Sequence, residues 1–212
     1  MRSNENLIAE LTGDLRPVAP MTLTRGLTVV LAAAGLSIAA VAGFAGIWDG
    51  PFIGTATIFF YLANGLLAMF GFACATNVVR MANPGVGNRY DGAYWSLAML
   101  AIFPVVAVAT LFARGLGGAA MTDLHGLECA LSGTAFASIT AGGLVFWLRR
   151  GAPANPGRAG LFAGLAAGAL GSAAYGLSCP IDTLGHLAIW HVLPVALAGA
   201  IGRIIIPRFL TW

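Results

Sequence analysis

The chain has 212 residues, of which 58% are hydrophobic and 9% are charged, with a mean hydropathy of +0.85. A soluble domain carries roughly 25% charged residues, so the composition indicates a membrane protein and excludes secreted disulfide scaffolds, nucleic-acid modules and most enzymes with large water-filled active sites. The net charge of +3 comes from arginines alone, and because their positions suit a membrane topology, we expect no direct contact with nucleic acid.

Residues 1–26 form the only sustained polar stretch, and we assign them as a cytoplasmic tail. Within it, four apolar residues recur with the spacing of a stripe on one helix face: Leu7, Ile8, Leu11 and Leu15. Arg16-Pro17 is predicted to end this helix, because the residue before a proline disfavours the helical conformation.

Such a short amphipathic helix is marginal alone in water. Its apolar stripe therefore predicts a surface to bind, either lipid headgroups or a protein groove. The polar face carries Glu5, Glu10 and Asp14, which anionic lipids repel, so the pattern favours a protein groove.

The rest of the chain, 27–212, is predicted to be an all-α transmembrane bundle. It contains six apolar runs, each near the roughly 20 residues that a spanning helix needs: 27–47, 53–79, 94–112, 127–148, 159–177 and 184–206. Pro104 and Pro194 are predicted to kink the third and sixth spans.

The arginines set the expected orientation. With the N-terminus inside, only Arg114 falls on the outer side, which agrees with the positive-inside rule. Ten arginines then face the cytoplasm: Arg2, Arg16, Arg25, Arg80, Arg89, Arg149, Arg150, Arg158, Arg203 and Arg208. We therefore expect six spans in a bacterial inner membrane with both termini cytoplasmic.

The fifth span carries a ladder of small residues at a spacing of four: Gly160, Gly164, Gly168, Ser172 and Gly176. Small residues allow close helix approach, which replaces the missing hydrophobic drive in lipid. The ladder favours packing within the chain over a dimer seam, and the oligomeric state stays open.

Chemistry-bearing side chains gather at the outer end of the predicted bundle. His125 and Cys129 share one helical face where the fourth span begins, and Cys179, Asp182 and His186 follow in one outer turn. The thiols are predicted to bind a soft or borderline metal with the imidazoles, to form a disulfide, or to be unrelated.

Two further residues are given structural roles. Cys74, in the second span, is predicted to be a small buried hydrophobe. His191 is predicted to be packed or hydrogen-bonded in preference to binding metal.

No catalytic motif is present, and no acidic residue lies at mid-depth in a span, so we expect no enzyme and no constitutive cofactor. Two alternatives remain open at this stage. One is a small metal-handling membrane protein with an outer uptake site. The other is a haem or quinone redox protein that uses His186 or His191 as a ligand.

Two motifs carry a family resemblance over nearly the whole chain. They are the tail Asp14-Leu15-Arg16-Pro17-Val18-Ala19-Pro20 and the loop Ser178-Cys179-Pro180-Ile181-Asp182 with Ile189-Trp190-His191 after it. With Cys129, they resemble the NrsF-type anti-sigma factors of proteobacteria.

The resemblance implies that the tail sequesters an extracytoplasmic-function sigma factor at the membrane. It also implies that Cys129 and Cys179 sense heavy-metal or oxidative stress, with a metal ion bound transiently. Together with Leu7 from the stripe, these tail residues are expected to bind the sigma factor: Leu11, Asp14, Leu15, Arg16, Pro17 and Val18. His191 stands where an aromatic residue such as tyrosine is expected in many relatives, so no role is carried over to it.

Overall fold

The computed structural model describes residues 4–13, 20–84, 92–113, 115 and 124–210. Within these residues the secondary structure consists of helices with no strands, which confirms the all-α class. The elements, in chain order, are α1 (Asn4–Gly13), α2 (Leu23–Phe44), α3 (Gly50–Ile53), α4 (Ile58–Met81), α5 (Gly92–Ala113), α6 (Leu124–Leu148), α7 (Pro156–Gly176), α8 (Leu184–Trp190), α9 (Leu193–Ile205) and a final 3₁₀ turn (Ile206–Phe209).

Five helical segments in the described part of the chain are long and apolar enough to cross a membrane. They are α2, α4, α6, α7 and the segment Leu184–Phe209, which comprises α8, α9 and the 3₁₀ turn. The third predicted run lies in α5, where Leu97–Ala113 is a shorter apolar stretch. All six predicted runs are thus largely helical, and five of them lie in segments that are both long and apolar enough for a span.

The second span begins later than the sequence predicted. Its helix, α4, starts at Ile58 instead of residue 53, because the short helix α3 ends at Gly54. Gly54 has a φ of +76°, a left-handed conformation that glycine adopts without the steric penalty of a Cβ atom. The chain therefore turns once more before entering α4.

The sixth predicted run is interrupted near its middle. Pro194 has no N–H to continue the helical hydrogen bonds, and the helix divides into α8 and α9 at His191 and Val192. The kink predicted at Pro194 is therefore a break, which leaves His191 at the C-terminal end of α8. Helix α5, by contrast, continues through Pro104.

Helix α7 is the most buried of the five long segments and packs against α9, α6 and α4. A Cβ atom added at Gly160, Gly164 or Gly168 would collide with the backbone of α9. This confirms that the small-residue ladder packs helices within the chain. The close seam between α7 and α9 fixes the position of α8, which precedes α9, relative to the loop that follows α7.

Candidate functional site

Cys129 lies in the second turn of α6, on the face that meets the end of α8. One turn earlier, a Cβ atom on Gly126 would overlap the indole ring of Trp190. The missing side chain thus lets Trp190, the last residue of α8, pack directly on α6. This contact brings the C-terminal end of α8 beside Cys129.

Cys179 lies in the loop between α7 and α8, and this loop is fixed by hydrogen bonds to the segment that follows α2. The backbone N–H of Trp48 donates to the carbonyl of Leu177 at 2.9 Å. The hydroxyl of Ser178 donates to the carbonyl of Ala45 at 3.3 Å. The thiol of Cys179 is consequently positioned by this loop rather than by a helix.

These elements bring four potential metal-ligand atoms together, all within 4.8 Å of one another: those of Cys129, Cys179, His186 and His191. The two Sγ atoms are 3.7 Å apart, and Cys179 Sγ lies 3.4 Å from His186 Nε2. All four residues are at least nine-tenths buried. Two thiols and two imidazoles in this arrangement can bind a soft or borderline metal ion, or the thiols can be oxidised.

His191 is the most deeply buried member of this group, at 1% exposure. Its carbonyl accepts a hydrogen bond of 2.6 Å from the hydroxyl of Ser172, and its ring stacks on that of Tyr175. Its Nε2 atom is buried and has no hydrogen-bond partner among the described residues. The side chain is therefore positioned by its surroundings, but one ring nitrogen is left for another partner.

The contacts within the cluster also favour a thiolate. A hydrogen bond with Cys129 and a further one with His186 lower the pKa of the Cys179 thiol, against the opposing effect of burial. The thiolate is the form that binds metals and reacts with oxidants. The contacts of Cys179 thus favour the form that both kinds of chemistry require.

The structure does not place the other two residues of the predicted metal set in this group. Asp182 instead accepts a 2.6 Å hydrogen bond from the backbone N–H of Thr57, at the start of α4. His125 is exposed at the beginning of α6, one turn before Cys129. Cys74 is fully buried in α4, as predicted.

Sequence reasoning did not assign His191 to the cluster. Residues five positions apart in a continuous helix point roughly 140° away from each other, so helix periodicity alone does not bring His186 and His191 together. In the structure their ring centroids are 5.5 Å apart. A histidine placed three residues before Pro194, in a chain with so few polar groups in its spans, was the available signal.

The predicted tail helix is present as α1, which is described from Asn4 to Gly13. Its predicted end at Arg16-Pro17 lies outside the described residues. None of its residues is buried, and Leu7, Ile8 and Leu11 are 48%, 60% and 64% exposed. The remaining predicted tail residues lie outside the described part of the chain: Asp14, Leu15, Arg16, Pro17 and Val18.

Comparison with known proteins gives a consistent result over most of the chain. A family model described as "negative regulator of sigma F" matches residues 11–212. The chain is also 32% identical over 145 residues to the anti-sigma-F factor NrsF of Caulobacter vibrioides (strain NA1000 / CB15N). That alignment covers 66% of this chain and 64% of the relative, which is slightly under two thirds of the relative's length. No solved structure matches the chain.

Proposed function

The chain belongs to the family of negative regulators of sigma F, as its tail and outer loop predicted, and on this premise we propose that it is an anti-sigma factor. It binds a sigma factor of the extracytoplasmic-function class through its cytoplasmic tail and keeps that factor from RNA polymerase. Its role is regulatory and not enzymatic. When stress reaches the outer cysteines, the sigma factor is released.

The observation that carries this proposal is the exposed apolar stripe of α1. Three large apolar side chains, those of Leu7, Ile8 and Leu11, are about half or more exposed on one short helix. Burying one such side chain fully is worth about 1.5–3 kcal/mol, and a helix of this length is marginal alone. A groove on a partner protein would bury the stripe and stabilise the helix at the same time.

The charge of the helix favours a protein partner over the membrane surface. Glu5 and Glu10 lie in α1 away from the centre of the apolar stripe, and the cytoplasmic leaflet of a bacterial membrane repels carboxylates. A basic groove on a sigma factor would attract them.

We further propose that the bundle crosses the inner membrane six times, with α5 as the third span and both termini in the cytoplasm. The arginines support this orientation: Arg25 lies in the first turn of α2, Arg80 lies at the end of α4, and Arg203 lies near the end of α9. All three are then on the cytoplasmic side, as the positive-inside rule favours. The cysteine cluster is consequently at the periplasmic end.

In this topology, Cys129 and Cys179 are the sensor. A heavy-metal ion binds the two thiolates directly. Alternatively, hydrogen peroxide accepts two electrons and two protons from the thiols, which join in a disulfide while the peroxide becomes two waters. Either reaction changes the geometry where α6 meets the loop after α7.

The packing of α6 on α2 supplies a route from the sensor to the tail. Near mid-bundle, the hydroxyl groups of Ser37 on α2 and Thr140 on α6 are 3.1 Å apart and buried. Helix α2 begins directly after the tail, so a shift of α6 at its outer end reaches the tail through one helix–helix contact. A coupling of about 1.4 kcal/mol between the two sites is enough for a tenfold change in sigma affinity.

Sigma binding can be tested with the full chain in detergent or lipid nanodiscs. Each extracytoplasmic-function sigma factor of the source organism is purified and its affinity for the chain is measured. We expect one of them to bind, and Leu7→Asp combined with Leu11→Asp to weaken binding more than tenfold. Asn6→Asp combined with Ala9→Asp adds the same charge on the opposite face of α1 and should leave binding unchanged.

Two results would contradict the proposal. One is that none of the sigma factors binds the wild-type chain. The other is that both pairs of charge substitutions weaken binding equally, since the apolar stripe would then have no special role.

Metal handling is the second candidate function, because four donor atoms lie in one buried cluster. A transporter moves its ion across the membrane, whereas a sensor only binds it. Uptake of Cd²⁺ or Zn²⁺ into sealed vesicles that contain the purified chain separates the two functions: uptake above that of protein-free vesicles supports transport.

A further inference from the structure

We propose a closed, four-coordinate site for a divalent thiophilic cation such as Zn²⁺ or Cd²⁺, with these ligands: Cys129, Cys179, His186 and His191. The site deepens the sensing half of the proposed function and, as a sensor, rests on it. The ligand set itself is argued only from the geometry and chemistry of the four side chains. It differs from the set expected from sequence, since His191 takes the place of His125 and Asp182.

Two distances between donor atoms of the cluster match a tetrahedral metal site, and all four donor atoms lie within 4.8 Å of one another. With Zn–S bonds of about 2.3 Å and Zn–N bonds of about 2.0–2.1 Å, tetrahedral angles place two sulfurs about 3.8 Å apart and a sulfur and a nitrogen about 3.6 Å apart. The two Sγ atoms are 3.7 Å apart, and Cys179 Sγ is 3.4 Å from His186 Nε2. Little rearrangement is therefore needed to place a metal between them.

The unpartnered nitrogen of His191 is an independent indication of a ligand. Buried polar atoms are almost always hydrogen-bonded, because leaving one without a partner costs about 1–3 kcal/mol. Yet Nε2 of His191 has no partner among the described residues. A ring nitrogen of His191 lies within 4.8 Å of the other three donor atoms, so a metal ion bound through Nε2 would supply this partner, and the stack on Tyr175 holds the ring in place for it.

The charges balance in such a complex. When a divalent ion binds, the two thiols give up the protons they still hold, the two imidazoles bind in their neutral form, and the complex carries no net charge. This neutrality matters because the four residues are buried, and an uncompensated charge is costly in a low-dielectric environment. A single thiolate with three neutral ligands would leave one positive charge.

The ligand types select the metal class. Thiolates and imidazoles suit Zn²⁺, Cd²⁺ and related ions, whereas Mg²⁺ and Ca²⁺ require oxygen ligands. The nearest carboxylate in the loop, Asp182, is instead hydrogen-bonded to Thr57. Four protein ligands also leave no open position, which is the pattern of structural rather than catalytic zinc sites.

The consequence of binding is a cross-link at the outer end of the bundle. Cys129 belongs to α6, Cys179 to the loop after α7, and His186 and His191 to the two ends of α8. One ion would therefore tie three segments together. Binding thus favours whichever arrangement of α6 and α8 brings all four ligands closest.

The test uses the full chain, purified in detergent under reducing conditions, with Co²⁺ as a spectroscopic probe and Cd²⁺ as competitor. We expect one Co²⁺ per chain with the intense visible absorption of a tetrahedral, thiolate-ligated ion, displaced by Cd²⁺. His191→Gln should weaken the affinity more than tenfold, since even residues that only support metal ligands typically contribute 10–100-fold. His125→Gln is the matched control and should leave the affinity unchanged.

Two outcomes would overturn the site. One is the weak absorption of six-coordinate Co²⁺ in the wild-type chain, which needs no variant to interpret. The other is equal affinity of His191→Gln and His125→Gln. Binding of the sigma factor by the same preparations without metal tests the proposed function separately. If sigma binding persists while metal binding fails, only the metal site is wrong. If sigma binding fails while Co²⁺ binds as expected, only the anti-sigma function is wrong.

Discussion

The cysteine cluster and the tail helix lie at opposite ends of the predicted topology and differ in nearly every physical respect. The cluster is buried, polar and held by contacts from α6, the loop after α7 and α8. Helix α1 is exposed and apolar along one face, and none of its residues is buried. One region has its geometry built into the chain, while the other exposes a surface that suits a partner.

This difference teaches how each region works. A site that is assembled within the fold suits a small ion, because all its potential ligand atoms already lie near one another. A short helix with an exposed stripe suits a protein partner, because only a second surface buries three large apolar side chains together. A change that affects one region and spares the other therefore tests the division of roles.

The largest expected effect comes from the sensor cysteines. Cys129→Ser or Cys179→Ser should abolish the release of the sigma factor by metal, while affinity without metal stays at the wild-type value. The measurement is sigma binding with and without Cd²⁺. Cys74→Ser, which removes the buried thiol of α4, is the matched control and should release the sigma factor as the wild type does. Normal release of the sigma factor by both Cys129→Ser and Cys179→Ser would refute the division of roles.

The seam between α7 and α9 should have the next largest effect, on stability. In Gly164→Ala the added methyl group would collide with the carbonyl of Ala198, and overpacking of this kind costs about 1–3 kcal/mol. Gly35→Ala places its methyl group in open space and should be neutral or stabilise α2 by up to about 1 kcal/mol. The midpoints of thermal unfolding in detergent compare the two variants. Equal midpoints would mean that the contact between α7 and α9 accommodates the added methyl group without loss of stability.

The tail should respond to a single truncation. Leu11 is the most exposed of the three apolar residues of α1, and Leu11→Ala should weaken sigma binding about tenfold, or by about 1.4 kcal/mol, as expected for an interface anchor. Asn6→Ala, on the opposite face, is the control. Co²⁺ binding should be the same in both variants, and a loss of metal binding in Leu11→Ala would show that the two ends are not separable.

Much of the fold could be predicted from the sequence because membrane helices have a strong signal. Apolar runs of the required length placed the long helices, and the spacing of small residues on α7 predicted its close packing. The boundaries that differ depend on local backbone conformation. Gly54 in a left-handed turn delays α4, and Pro194 breaks the last span.

The candidate site could be predicted in part. Residue types and topology brought Cys129, Cys179 and His186 to the same end of the bundle, and the structure places them together. The position of His191 could not be predicted, since it depends on how α8 packs against α6 through Gly126 and Trp190. The residue periodicity of a single helix gives no information about that contact between two helices.

The smallest expected effect concerns the link between the two regions. Ser37→Ala removes the hydrogen bond to Thr140 and the longer one to the carbonyl of Phe136, both between α2 and α6, and hydrogen bonds between membrane helices average about 0.6 kcal/mol. That energy corresponds to roughly a threefold change in an equilibrium constant. We therefore expect the Cd²⁺ concentration that releases the sigma factor to shift by up to threefold. The affinity for the metal, and the affinity for the sigma factor without metal, should be unchanged. Ser138→Ala is the matched control, because the hydroxyl of Ser138 bonds only within α6, to the carbonyl of Ala135. An equal response of the two variants would mean that the signal reaches the tail by a route other than the contact between α6 and α2.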